Sequence, residues 1–368
     1  MNSNAAYFVP ESSIVRTIWG KSDTILFIFA GSAAEFALNK AVDWLYYTGK
    51  LPADPLGRLF STVAYARQKD RLQAWAVTAS VGPGSTNMLT GAALATINRL
   101  PVLLLPADTF ATRVSAPVLQ ELELPASGDV TVNDAFKPLS RYFDRVWRPE
   151  QLPAALLGAM RVLTDSVETG AATVSIPQDV QAEAHDWPTS LFAERTWHVA
   201  RPLPERSVIA RAAEIIGAAR TPLIVAGGGV HYSGAEEALA AFCERTGVPV
   251  GESQAGKGSL RYDHPQSVGA IGSTGTTAAN TLAAEADVVI GIGTRYSDFT
   301  SASRTAFNNP DVRFVNINVA SLDSVKQGGI SVVADARTAA RRPATARPAP
   351  PRSEIGRASC RERVSSPV

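Results

Sequence analysis

Apolar positions along the chain fall into three patterns. Over residues 1–66 aromatic side chains cluster, among them Phe27, Phe29, Phe36, Trp44, Tyr46 and Tyr47. Residues 33–47 have helical spacing with no internal Pro or Gly, and Pro52, Pro55 and Gly57 then break the run. This predicts a helical segment over residues 1–63. From about residue 64 to 335, short apolar runs alternate with helical stretches. Residues 75–79, 101–106, 172–176, 222–226, 248–250, 288–292 and 313–319 read as buried strands, and 101–106 is apolar on both faces, as parallel strands are. Helices are expected at 85–99 with Ser85 as N-cap, at 149–164 opened by Pro149 and Glu150, and at 233–245. The last has a Ser233/Glu236 capping box and closes at Gly247. The alternation predicts an α/β protein with two doubly wound parallel sheets, over residues 64–177 and 207–337. A polar, proline-containing stretch at 178–206 reads as the linker between them. Beyond residue 338 the periodicity stops, and four prolines among arginines predict a disordered tail over 338–368.

Composition narrows the class. The 368 residues are 45% hydrophobic, enough to bury a core and long enough for two or three domains. A net charge of +1, from 35 basic and 34 acidic residues, argues against a dedicated nucleic-acid surface. That balance is uneven: residues 341–368 hold seven Arg and two Glu, a net of +5, which leaves −4 for the rest. Two cysteines, Cys243 and Cys360, exclude a disulfide scaffold. The four histidines, His185, His198, His231 and His264, have no zinc-ligand spacing and read as linker and loop residues, so no metal site is expected from them. The longest early apolar stretch, 25–34, ends at Glu35 and is too short to span a bilayer. No basic region followed by an apolar run opens the chain, and a cytoplasmic location is expected.

Several glycine-rich turns compete as sites. Gly227, Gly228 and Gly229 follow a strand, and so do Gly291 and Gly293, but the third glycine of a dinucleotide fingerprint would fall on Tyr232 or Tyr296. Both are expected to be tight strand-to-helix turns in backbone contact. Residues 80–87, Ser-Val-Gly-Pro-Gly-Ser-Thr-Asn, lie between a strand and a helix at the carboxyl edge of a sheet, where α/β folds bind ligands. A plain turn is the other reading. Cys243 falls on the apolar face of a helix and is expected in the core. Asp108, Asp134 and Asp298 follow apolar strands or lie near aromatics, and capping is the simplest role for each.

Residues 76–87, 101–113, 133–142, 148–152, 254–257 and 291–300 together resemble a known family. The loop at 82–84 and the strand after it are shared with acetolactate synthase and its thiamine-diphosphate-dependent relatives. The remaining phrases resemble the trihydroxycyclohexane-dione hydrolases of inositol catabolism. The likeness runs from about residue 64 to 335. It implies that residues 64–177 are part of a pyrimidine-binding domain and 207–337 a largely structural central domain. Gly82, Pro83, Gly84 and Asn87 are the implied cofactor-binding residues. Thiamine diphosphate and Mg²⁺ are the implied cofactors, and a cyclic dione, opened at a C–C bond, is the implied small-molecule substrate. A homo-oligomer is implied too, with neither nucleic acid nor membrane as partner. An acetolactate-synthase-like enzyme acting on another keto substrate, or a non-catalytic nucleotide-binding module, remains open.

Departures from the family pattern matter as much. The family's Gly-Asp-Gly motif for the diphosphate and its metal does not occur in the sequence. The activating Glu of the family falls, by ungapped counting, on Pro55, so the catalytic residue is unknown. Segments 14–20, 29–40 and 51–60 resemble the helical latex-clearing proteins instead. Residues 354–364 resemble a translated sequencing adapter. A truncated, chimeric chain is therefore expected, with residues 1–63 packing poorly against the first domain.

Overall fold

The computed structural model describes residues 7–11, 14–18, 55–115 and 117–340. The chain divides into two compact units, Met1–Ala200 and Arg201–Val368, each described by itself. In chain order the first carries β1 (Tyr7–Glu11), β2 (Ile14–Ile18), α1 (Pro55–Gln68), β3 (Ala76–Ala79), α2 (Pro83–Thr86), α3 (Leu89–Ile97) and β4 (Val102–Asp108). A 3-10 helix (Val132–Leu139) precedes β5 (Tyr142–Arg145), α4 (Leu152–Leu163), β6 (Ala171–Pro177), α5 (Gln178–Ala182) and β7 (Arg195–His198).

The first unit is built on a parallel sheet in the order β3-β4-β6-β5. Every residue of β4 and β6 is buried, which is why these central strands read as unbroken apolar runs. Helix α4 packs Leu152, Ala155, Ala159 and Leu163 on this sheet, an i, i+3, i+4 stripe.

Two expectations are corrected in this unit. The described part of the N-terminal segment is not all helical: β1 and β2 form an antiparallel pair, and β2 also pairs antiparallel with β7. β-Branched and aromatic residues such as Tyr7, Phe8, Val9, Ile14, Val15, Thr17 and Ile18 favour this extended pairing. The predicted helix at 33–47 lies outside the described residues. Secondly, α1 runs unbroken across residue 63 and buries Leu59, Val63 and Ala66, so this part of the segment packs closely rather than poorly. Gly91 of α3 leaves the space that the Leu59 side chain fills. The stretch at 178–206 supplies α5 and β7.

The second unit carries α6 (Arg206–Ala218), β8 (Pro222–Ala226), α7 (Gly229–Ser233), α8 (Glu236–Thr246), β9 (Val250–Glu252), β10 (Ser267–Ala270) and α9 (Thr277–Glu285). It continues with β11 (Val288–Ile292), α10 (Asp298–Ser301), β12 (Arg313–Asn318), α11 (Ser321–Ser324), β13 (Ile330–Val333) and α12 (Ala336–Ala340). All six strands are parallel, in the order β10-β9-β8-β11-β12-β13. The period-2 alternation of each strand sorts its side chains to two faces. Ile224, Ile290 and Val315 meet α6, α8 and α12 on one face, while Leu223, Val289 and Phe314 meet α9 on the other. Helices on both faces make the expected doubly wound sheet.

Two predicted caps are corrected. The Ser233 hydroxyl donates to the Gly229 carbonyl (2.7 Å) at the end of α7, and α8 starts at Glu236 behind Ala235. Ser85 is likewise no N-cap: it is buried inside α2, and its hydroxyl donates to the Ser80 carbonyl at 2.8 Å. Gly247 closes α8 in the left-handed conformation (φ 72°), as expected. Among the described residues no helix is long and apolar enough to cross a membrane.

Candidate functional site

The carboxyl edge of the four-stranded sheet gathers the candidate residues of the first unit. Gly82 follows β3 with φ 70°, a conformation that suits glycine, and the Gln120 backbone carbonyl occupies the place a Cβ would need. The equivalent position on Gly84 is taken by the Ser80 hydroxyl. Pro83 opens α2, where its missing N–H costs nothing. Asn87 caps the end of α2, its N–H donating to the Pro83 carbonyl at 3.2 Å, and its side chain is exposed. The structure therefore brings Gly82, Pro83, Gly84 and Asn87 together in one tight turn, with residues 118–121 lying over it.

Beneath the turn is a buried polar cluster that sequence reasoning did not assemble. The Ala107 carbonyl accepts from both the Ser85 hydroxyl (3.3 Å) and the Asn133 side-chain amide (2.9 Å). The same amide donates to the Ser175 hydroxyl at 2.9 Å, which in turn donates to Asp108 at 2.6 Å. Asp108 is fully buried and pairs with the Arg145 guanidinium at 2.7 Å. Arg145 also reaches Asp134 at 3.0 Å and Thr131 at 2.9 Å. Burial alone would raise the Asp134 carboxyl, but hydrogen bonds from Arg145, Lys137 and the Thr131 N–H outweigh it and hold it at about 2. Asp134 also closes a capping box with Thr131, so its expected capping role stands beside an ion-pair role.

A second carboxylate ties down the start of the loop over the site. Asp179 accepts from the Ala111 and Thr112 N–H groups at 2.8 and 3.0 Å and from the Thr112 hydroxyl at 2.9 Å. Burial works against its ionised form, and these donors hold it below the usual carboxylate range.

The glycine turns of the second unit are backbone contacts. The Gly227 N–H donates to the Ile292 carbonyl (2.8 Å) and the Gly229 N–H to the Gly293 carbonyl (3.1 Å). A Cβ on Gly227 would run into Gly293, so the two turns interlock. The remaining sequence candidates take structural places. Cys243 is in the core, and burial pushes its thiol up to about 12. His231 sits between the Glu236 carboxylate (2.9 Å) and the Lys257 carbonyl (3.1 Å). His185 packs edge-on against Trp187. Ser297, not Asp298, caps α10, and Asp298 lies in its first turn.

The fit to a metal-bound diphosphate is poor. Among the described residues no group of three or more His, Cys, Asp or Glu is placed to hold a metal ion. Pro55, the position expected to carry the activating carboxylate, begins α1 and has no ionisable group.

The second unit is where comparison with known proteins bears most directly. Residues 209–342 match the thiamine pyrophosphate enzyme central domain. Over a longer span, the chain is 49% identical across 283 residues to 3D-(3,5/4)-trihydroxycyclohexane-1,2-dione hydrolases of Bacillus thuringiensis (strain Al Hakam) and Bacillus cereus (strain 03BB102). It is 48% identical over 281 residues to the protein of the same name from Clostridium tetani (strain Massachusetts / E88). The Bacillus alignments cover 77% of this chain and 44% of the relatives, and the Clostridium alignment covers 76% and 44%. The chain thus spans less than half the length of these curated relatives.

Proposed function

We propose that this chain is the pyrimidine-side and central part of a thiamine-diphosphate-dependent 3D-(3,5/4)-trihydroxycyclohexane-1,2-dione hydrolase. The observation that carries the reading is 49% identity sustained over 283 residues, longer than the central domain alone. It follows that the substrate is a cyclic 1,2-dione and the reaction a hydrolytic opening of a C–C bond. Thiamine diphosphate and Mg²⁺ are the cofactors, and Gly82, Pro83, Gly84 and Asn87 approach the aminopyrimidine. Homo-oligomeric assembly and a cytoplasmic location belong to the same reading. The boundaries at 63/64, 177/178, 206/207 and 337/338, and a foreign origin for the segments before 64 and after 337, are proposals that genomic sequencing across residues 64 and 338 tests.

The donor set predicts how the polypeptide behaves alone. Phosphate and metal anchoring contributes several charge-assisted contacts, each worth roughly 1.5–3 kcal/mol. The described residues place no cluster for the metal. Calorimetry with thiamine diphosphate and Mg²⁺ is expected to show no saturable binding by the 368-residue chain, and the ring-opening assay no turnover. Fusion to the diphosphate-binding part of the Bacillus thuringiensis relative is expected to restore ring opening. Turnover by the chain alone would overturn the anchoring argument. A fusion that processes 2-keto acids but not the cyclic dione would overturn the substrate.

A further inference from the structure

In the second unit, His231 of α7 stands between two acceptors. Its Nδ1 lies 2.9 Å from the carboxylate of Glu236, the first residue of α8, and its Nε2 lies 3.1 Å from the Lys257 backbone carbonyl. Lys257 belongs to the turn that follows β9, residues 253–260. We propose that His231 is a proton-dependent clasp, holding this turn on the α7–α8 corner only while both of its ring nitrogens carry hydrogen.

A neutral imidazole has one N–H and one bare nitrogen, whereas the imidazolium has an N–H on each nitrogen. A backbone carbonyl oxygen only accepts, and so does an ionised carboxylate. Both hydrogen bonds therefore form together only in the imidazolium. Either neutral tautomer turns a lone pair onto an oxygen and gives up one side of the clasp. Glu236 is held ionised: burial works against the charge, but the His231 hydrogen bond and a backbone hydrogen bond outweigh it and keep the carboxyl below the usual range. Neighbouring elements bring further charges. Glu237 of α8 and Lys257 are both exposed, so solvent screens them. Helix α12, which packs on α7, carries Arg337. Arg201 donates to the Tyr232 carbonyl at 3.3 Å and is neutralised by Asp335 at 2.9 Å. Glu236 acts on the ring at hydrogen-bond contact, where the Coulomb interaction is strongest, and sets the balance.

The rest of the turn shows what the clasp holds. Its ends are fixed by other contacts: the Ser253 N–H donates to the Ala226 carbonyl at 2.9 Å, and the Leu260 N–H to the Glu252 carboxylate at 3.0 Å. Its first half lies against the glycine turn after β8, since a Cβ on Gly256 would run into the Ala226 carbonyl and one on Gly228 would meet Ala255 at 3.3 Å. Lys257 and Gly258 are exposed, and Gly258 is in the left-handed region (φ 90°). His231 reaches this exposed stretch from outside the turn. Two acceptors raise the folded-state pKa of His231 above the ordinary value of about 6.5. The clasp's contribution is then fully present below about pH 6.5 and is lost as pH rises through the folded pKa. The turn loosens on the alkaline side.

The test is ring-nitrogen NMR of the full chain with isotope-labelled histidine, the His231 signals being those that vanish in His231→Gln. Both His231 ring nitrogens are expected to be protonated at about pH 7, with a titration midpoint above the ordinary value of about 6.5. The Gly256 and Ser259 amides bond inside the turn, each at 3.0 Å. Their hydrogen exchange, corrected for the intrinsic rate, is expected to lose about tenfold in protection as pH passes that midpoint. Glu236→Gln separates the clasp from a passive contact. The amide it introduces can donate to a bare Nδ1, so a neutral ring satisfies both sides. The midpoint is then expected to fall to about 6.5 or lower, and the turn to stay protected at alkaline pH. If His231→Gln fails to fold, the signals that move in Glu236→Gln identify His231. A wild-type midpoint at or below about 6.5, or protection that does not follow the midpoint, overturns the proposal. So does a midpoint that Glu236→Gln leaves unchanged.

Discussion

Arg145 shows how a single side chain organises the first unit's carboxyl edge. Its guanidinium joins Asp108 at the end of β4 to Asp134 in the 3-10 helix, elements 26 residues apart in sequence (134 minus 108). Arg145→Met leaves the Asp108 carboxylate buried without its partner, and equilibrium denaturation is expected to show a loss of about 3–5 kcal/mol. Adding Asp108→Asn should recover part of that loss, since the stranded charge is then gone. Asp134 supplies a pH signature. Its folded pKa of about 2 lies below the ordinary 3.8, so its contribution is present above about pH 4 and is lost as pH falls toward 2. That contribution is on the order of 2 kcal/mol, and Asp134→Asn should flatten the acid limb of a stability profile followed by circular dichroism. None of this was visible in the sequence, where Asp108, Asp134 and Arg145 stand apart and capping is the simplest role for the two aspartates. The turn at 82–84 was visible, because a Gly-Pro-Gly run between a strand and a helix has few other conformations.

Elements differ in how much of themselves they write into the sequence. Strands β4, β6, β8 and β11 are buried on both faces or nearly so, and their apolar runs announced them. Strand β5 was missed because Tyr142, Phe143, Asp144 and Arg145 are only half-buried and two of them are charged. Edge strands β10 and β13 have four residues each, too short for a period to assign them from sequence. The caps at Ser85 and Ser233 were misplaced for a shared reason: each hydroxyl donates back to a carbonyl, competing with the N–H acceptor role a cap requires. The boundary at residue 63/64 falls inside α1 because it follows where the family resemblance begins, not where the helix does. Leu59 is fully buried against α3, so Leu59→Ala is expected to cost about 2–5 kcal/mol, measured by urea unfolding. A cost below 0.5 kcal/mol would show that α1 before residue 63 is dispensable to the first unit.

At the scale of the molecule, each unit has a core of its own, one around β4, β6 and α4 and the other around β8, β11 and α8. Separate cores favour separate melting, and differential scanning calorimetry is expected to resolve two transitions. A single transition that moves as a whole would contradict independent cores. The pairing at the centre of the second sheet has a further consequence. Strand β8 pairs with β11, residue 222 opposite residue 288, so its innermost ladder joins segments 66 residues apart (288 minus 222). At roughly 5–20 residues per second of translation, β8 leaves the ribosome about 3–13 s before its central partner exists. During that interval Pro222–Ala226, a strand made to be covered on both sides, has only β9 to pair with. The interlocked glycine turns at 227 and 293 can therefore close only after β11 has emerged, so the centre of the second sheet is sealed late in its synthesis.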